Sequence, residues 1–102
     1  MTLYVISWLD KPDSLELRMA TREAHFAHIA QHSEKVRVGG PFTDAEGRMI
    51  GSMMVFEGDS LEEAQAFHAA DPYALAGLFE TSQVRPWRAT VGGLAERRST
   101  VS

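Results

Sequence analysis

The sequence predicts an α+β chain of ferredoxin-like topology, β-α-β-β-α-β, with two helices on one face of a four-stranded antiparallel sheet. Three observations carry this expectation. Four runs rich in β-branched, aromatic and methionine residues are spread along the chain, with helical patterns after the first and the third. Both helical patterns open on a capping-box signature, Asp13 with Glu16 and Ser60 with Glu63. The 102 residues suffice for one domain with its own core and leave no room for two.

The first strand is expected at residues 3–8, Leu-Tyr-Val-Ile-Ser-Trp, where polar alternation is weak. Lys11-Pro12-Asp13 breaks it, and a helix follows over about 14–34. At about 100° per residue, Leu15, Met19, Arg22, Phe26, Ile29 and Ser33 form a stripe expected to face the core. Arg22 is anomalous there, because arginine is rarely buried without a partner. A second stripe, Arg18, His25 and His32, forms a cationic and imidazole edge beside it.

Val36-Arg37-Val38 opens the second strand, which Gly39-Gly40-Pro41 interrupts. Asp44 and Gly47 mark a hairpin turn, and Met49 to Glu57 is the third strand. A helix over 61–70 is expected to pack through Leu61, Ala64 and Phe67, and Asp71-Pro72 stops it. Tyr73 to Gly77 forms a short turn or a single helical turn, and Leu78 to Trp87 the fourth strand, with Pro86 suiting an edge or a bulge. The domain is thus expected over 1–88 and a loose tail over 89–102.

Composition excludes several classes. There is no cysteine, hence no disulfide, thiolate metal site, iron–sulfur cluster or thiol nucleophile. A net charge of −4 offers no basic excess for nucleic acid. No apolar run approaches the roughly 20 residues of a membrane helix, and no basic start precedes the first apolar stretch, so a cytoplasmic protein is expected. Neither G-x-x-x-x-G-K nor G-x-G-x-x-G occurs, so no nucleotide cofactor is expected. His25, His28 and His32 share one helix side, yet no H-E-x-x-H pattern accompanies them, and no metal is expected.

Other residues carry two readings each. Arg18 and Arg22 suit a clamp for a carboxylate or phenolate, or ion pairs with Glu16, Glu23 or a partner chain's acid. Gly39 and Gly40 leave open space beside a pocket, or form a bulge. Ser7 and Ser33 are possible polar pocket groups, and His68 a packing residue. Tyr4, Ile6, Trp8, Met53, Val55 and Trp87 supply more apolar surface than two short helices can cover. That surplus predicts a second copy packed sheet to sheet, a homodimer.

Four segments together resemble the YciI-like, or YCII-related, family: Arg18-x3-Arg22-x2-His25 on the first helix, Gly39-Gly40-Pro41, Ala70-Asp71-Pro72-Tyr73, and the terminal Val84-Arg85-Pro86-Trp87. The resemblance spans about residues 3–88. It implies a dimeric α+β barrel of ferredoxin-like subunits with a His25/Asp71 site. Arg18, Arg22, Gly39, Gly40, Pro41 and Tyr73 would then bind a small-molecule substrate. Proton transfer by His25, oriented by Asp71, on an anionic or phenolic molecule is lyase or isomerase chemistry and needs no redox cofactor. A metabolite-binding or dimerisation module, and a monooxygenase-like dimeric barrel, are the alternatives.

Overall fold

The computed structural model describes residues 1–93. Strand β1 (Thr2–Asp10) is followed by helix α1 (Leu15–Ala30), β2 (Val36–Thr43), β3 (Met49–Gly58), α2 (Leu61–Ala69), the single-turn α3 (Pro72–Leu75) and β4 (Phe79–Trp87). The sheet order is β2-β3-β1-β4, and every neighbouring pair is antiparallel. This is the expected ferredoxin-like arrangement, and of the two readings of Tyr73 to Gly77 the single helical turn is the one seen, as α3. Both prolines within strands, Pro41 and Pro86, lie on the edge strands β2 and β4, where a missing N–H costs least. No helix among the described residues is long and apolar enough to cross a membrane. Part of the expected tail, residues 94–102, lies outside the described residues.

Strand alternation divides the apolar residues differently from the sequence expectation. Tyr4, Ile6 and Trp8 point toward the helices, where they form the core with Met54, Phe56, Ala64, Phe67, Tyr73 and Leu78. The sequence counted them among six apolar residues too many for two helices to cover, and the register divides that set: Tyr4 pairs with Phe56 and Ile6 with Met54, and directly opposed residues share a face. The uncovered face instead carries Val5 with Val55, Ser7 with Met53, Leu3 with Trp87, and Val38 opposite Val55. Met53 and Met54 thus face opposite sides, as successive strand residues must.

Helix α1 departs from expectation in its start and its phase. Asp13 is not its N-cap: its φ of 57° is left-handed, and Ser14 takes the cap position without a side-chain bond to the helix. The buried residues of α1 are Arg18 and His25, while Leu15, Met19, Arg22 and Phe26 are exposed and Ile29 is only half-buried. The stripe expected to face the core therefore lies beside it: Leu15, Met19 and Ser33 are exposed, while Arg22, Phe26 and Ile29 border a cavity at the helix's edge. The reason is polar: two buried carboxylates, Asp10 and Asp71, bind Arg18 and His25, and these bonds fix the helix's rotation.

Helix α2 starts as expected. Ser60 Oγ accepts from the Glu63 N–H at 3.1 Å, although Glu63 returns its bond to the Asp59 N–H at 2.7 Å rather than to Ser60. The β2–β3 hairpin turns on Asp44, whose Oδ1 accepts from the N–H groups of Glu46 and Arg48, with Gly47 at a φ of 81° that favours glycine. His68 packs as expected, its ring stacked on Phe79 with centroids 4.8 Å apart.

Candidate functional site

Between α1 and the β2–β3 arm lies a cavity of about 170 Å³. Arg18, Arg22, His25 and Tyr73 line it, with Gly39, Gly40 and Pro41 along β2, Ser52 on β3 and an apolar remainder that includes Phe26, Met53 and Met54. Asp71 stands behind His25 and is completely buried. The structure thus gathers all eight residues singled out from the sequence around one cavity, but they differ in what they do there.

His25 Nδ1 lies 2.9 Å from both carboxylate oxygens of Asp71. A carboxylate only accepts, so Nδ1 carries the proton and the other ring nitrogen, Nε2, is left with a free lone pair when the ring is neutral. Local structure places Asp71. Pro72 ends α2 and begins α3, and Asp71 is the N-cap of that turn, with Oδ1 accepting from the Tyr73 N–H at 2.9 Å. The same turn lays the Tyr73 ring against His25, centroids 4.2 Å apart and planes 18° apart. Burial raises the Tyr73 phenol above its ordinary value, an effect the Arg18 charge opposes, and so holds it protonated.

Arg18 is almost wholly engaged by the protein. Its Nε and Nη2 donate to Asp10 at 2.7 and 3.1 Å, its Nη2 also donates to Ser52 Oγ at 3.1 Å, and its guanidinium sits 5.1 Å from the Tyr73 ring centroid. Trp8 Nε1 donates to Asp10 Oδ1 at 3.2 Å. The ion-pair reading of Arg18 therefore describes it better than the clamp reading, but its partner is neither Glu16 nor Glu23. Arg22 is the reverse case. It is exposed, makes no ion pair among the described residues, and lies over Phe26 at 5.1 Å, so the buried ion pair expected as one of its readings is absent. Arg22 is the cavity-lining cation that is available to an anion.

Sequence reasoning missed Asp10 and Ser52. Asp10 ends an apolar strand in no motif, and Ser52 lies among methionines and glycine. The serines that were expected do not reach the cavity wall: Ser7 is on the uncovered sheet face, and Ser33 is exposed. The strand irregularities of β2 fall between Val36 and Val38 and between Phe42 and Thr43, not at the glycines. A Cβ on Gly39 would meet the Met54 Cβ at 3.0 Å, whereas one on Gly40 would meet nothing within 4 Å. Close packing explains the first glycine and open space the second. His28 Nε2 donates to the Phe67 carbonyl and ties α1 to α2, while His32 Nδ1 donates locally to the His28 carbonyl, so neither ring converges with His25.

Fold and cavity together define a small ferredoxin-like α+β protein whose pocket is walled by a carboxylate-held histidine. The chain belongs to the YCII-related domain family, whose model matches residues 2–88. It is 39% identical to Protein YciI of Escherichia coli O6:H1 over 94 residues, covering 84% of this chain and 96% of that one. It is 32% identical to an uncharacterised protein of Haemophilus influenzae, covering 83% and 95%. Among solved structures it resembles 5-chloro-2-hydroxyhydroquinone dehydrochlorinase (TftG) of Burkholderia phenoliruptrix AC1100, in complex with 2,5-dihydroxybenzoquinone. That likeness has a TM-score of 0.81 at 32% identity and covers 92% of this chain and 99% of the other. A putative antibiotic biosynthesis monooxygenase of Bacteroides thetaiotaomicron matches with a TM-score of 0.56 at 14% identity, covering 94% and 95%, a likeness of fold alone.

Proposed function

We propose that this protein is a small-molecule lyase that removes a leaving group from a hydroxylated aromatic ring by proton transfer through His25. The observation that carries the reading is the His25 ring in the cavity wall with Nδ1 on both oxygens of Asp71. The likeness to a dehydrochlorinase of a hydroxyhydroquinone supports the same chemistry.

The step balances without an external oxidant. His25 Nε2 takes the proton of a ring hydroxyl, and the freed electron pair moves into the ring. The ring carbon that bears the chlorine, or another leaving group, takes up a proton. A second hydroxyl then loses its proton and becomes a carbonyl, and the leaving group departs with the bonding pair. The net loss is HX, and the quinol becomes a quinone. Asp71 stabilises the imidazolium formed on the way. Arg22 attracts the anionic ring at the cavity mouth. Gly40 leaves room for it, while Pro41 and Tyr73 bound the space. If nothing leaves, the same proton relay is an isomerisation.

In this reading the chain works as a homodimer through the uncovered sheet face. Leu9, Val38, Phe42 and Trp87 are all exposed in the single chain, which favours a covering partner. Met53 belongs both to that face and to the cavity lining.

The test is chloride release from 5-chloro-2-hydroxyhydroquinone, followed beside quinone absorbance. His25→Ala is expected to lower turnover by about 100-fold or more while quinone binding survives. Undiminished turnover in His25→Ala overturns the reading. Binding without turnover in the wild type replaces it with a metabolite-binding module.

A further inference from the structure

Ser52 stands in the cavity wall, and the elimination scheme leaves it unused. Arg18 Nη2 lies 3.1 Å from its Oγ in a buried contact. A guanidinium has donors and no acceptor, so the serine oxygen must be the accepting partner. The hydroxyl's own proton is therefore turned away from Arg18, and it meets no acceptor among the described residues. Arg18 cannot swing to change this. Asp10 accepts from its Nε at 2.7 Å, Trp8 Nε1 donates to Asp10 at 3.2 Å, and the Tyr73 ring lies 5.1 Å from the guanidinium. The chain of bonds from Trp8 through Asp10 and Arg18 ends in one O–H, polarised by a fixed cation behind it.

We infer that Ser52 donates this proton to an anionic oxygen on the ring of the substrate, with Arg18 and Asp10 as positioning residues behind it, a role that rests on the function proposed above. A single O–H matches a single oxygen, a phenolate or enolate. The fork that would grip a carboxylate is already taken by Asp10. The volume agrees, since about 170 Å³ is close to the cavity of about 150 Å³ that takes up benzene, the size of a single six-membered ring.

The probe is 2,5-dihydroxybenzoquinone, whose ionisation changes its visible absorbance. Its affinity, and the pH at which the bound molecule ionises, are measured for the wild type, Ser52→Ala and Ser52→Thr. A donor aimed at an oxyanion favours the ionised form. The probe bound to the wild type is therefore expected to ionise at a lower pH than it does on Ser52→Ala. Affinity is expected to fall about tenfold in Ser52→Ala, and Ser52→Thr should restore both. Unchanged affinity and ionisation in Ser52→Ala overturn the role. So does a loss of affinity with no change in probe ionisation, which is what slackening of Arg18 alone would give. A wild type that binds no probe overturns the proposed function and the Ser52 role together. One that binds it, with Ser52→Ala indistinguishable, removes only Ser52.

Discussion

The ring of Tyr73 lies flat against that of His25, 4.2 Å between centroids, while the Tyr73 backbone N–H bonds the same Asp71 oxygen that His25 Nδ1 contacts. One helical turn thus sets the imidazole plane and fixes the carboxylate that faces it. Capping, a device of local structure, and orientation of the histidine are a single act.

Asp71→Ala is therefore expected to cost stability as well as turnover. It removes the α3 cap and leaves two buried N–H donors without partners, a loss of about 2–4 kcal/mol. Asp71→Asn keeps an acceptor for the cap and should lose much less. Its turnover should still fall far more than its ligand affinity, because a neutral amide does not stabilise an imidazolium. Urea titration beside kinetics separates the two effects, and an Asp71→Asn enzyme with wild-type turnover would show that the carboxylate charge is idle.

His68 makes acid the weak side of the fold. Both of its ring nitrogens are buried without partners among the described residues, and burial lowers its affinity for a proton below the ordinary value of 6.5, against the pull of Asp71. The unfolded chain then binds that proton more readily than the folded one. The stability linked to His68 is whole above pH 6.5 and drains away as the pH falls from there through the lower folded value. His68→Leu should flatten this decline at little cost at neutral pH, since the ring nitrogens bond to nothing. Unfolding curves at neutral and mildly acid pH provide the comparison, and an equally steep decline in the variant would exonerate His68.

Arg22 is exposed and has no acid partner among the described residues, so Arg22→Met should leave the melting temperature nearly unchanged. A Michaelis constant raised about tenfold, with kcat preserved, is expected for an anionic ring. The effect should shrink in high salt. A fall in kcat instead would assign Arg22 to the chemical step.

A sheet-to-sheet dimer should bury at least about 1,000 Å² in total. Val38 is exposed and opposite Val55 on the uncovered face, so Val38→Glu places a charge where the partner would sit. Light scattering should give twice the 11.3 kDa chain mass for the wild type and the chain mass alone for the variant. A wild type at 11.3 kDa in micromolar solution would exclude the dimer.

The strand and helix order was legible because turn residues, capping boxes and apolar runs are local signals. The Ser60–Glu63 cap and the Asp44–Gly47 turn stand where their residues imply. The rotation of α1 was not legible. Hydropathy favours Leu15, Met19 and Phe26 as the inner face, and only knowledge of Asp10 and Asp71 in space reverses the choice. The same blindness hid Asp10 as the mate of Arg18, eight positions away across a strand end. His25 and Asp71 are 46 positions apart, and nothing but family resemblance joined them before the fold was seen. Strand parity was readable in principle, since Tyr4, Ile6 and Trp8 alternate with Val5 and Ser7. What was missing was which parity the helices cover.

Because the buried residues of α1 are an arginine and a histidine, the helix adheres to the sheet through directional bonds more than through apolar area. Such an element detaches locally before the rest of the domain unfolds. Backbone amides of residues 15–30 should accordingly trade hydrogen for deuterium faster than those of β1 and β3 at the centre of the sheet. The anchors of the helix are also the walls of the cavity, so occupancy of the cavity is expected to be linked to closure of the helix. A molecule that binds only the closed form slows that exchange by a factor of 1 + [L]/Kd, which makes α1 a readout of binding that requires no turnover and no knowledge of the product.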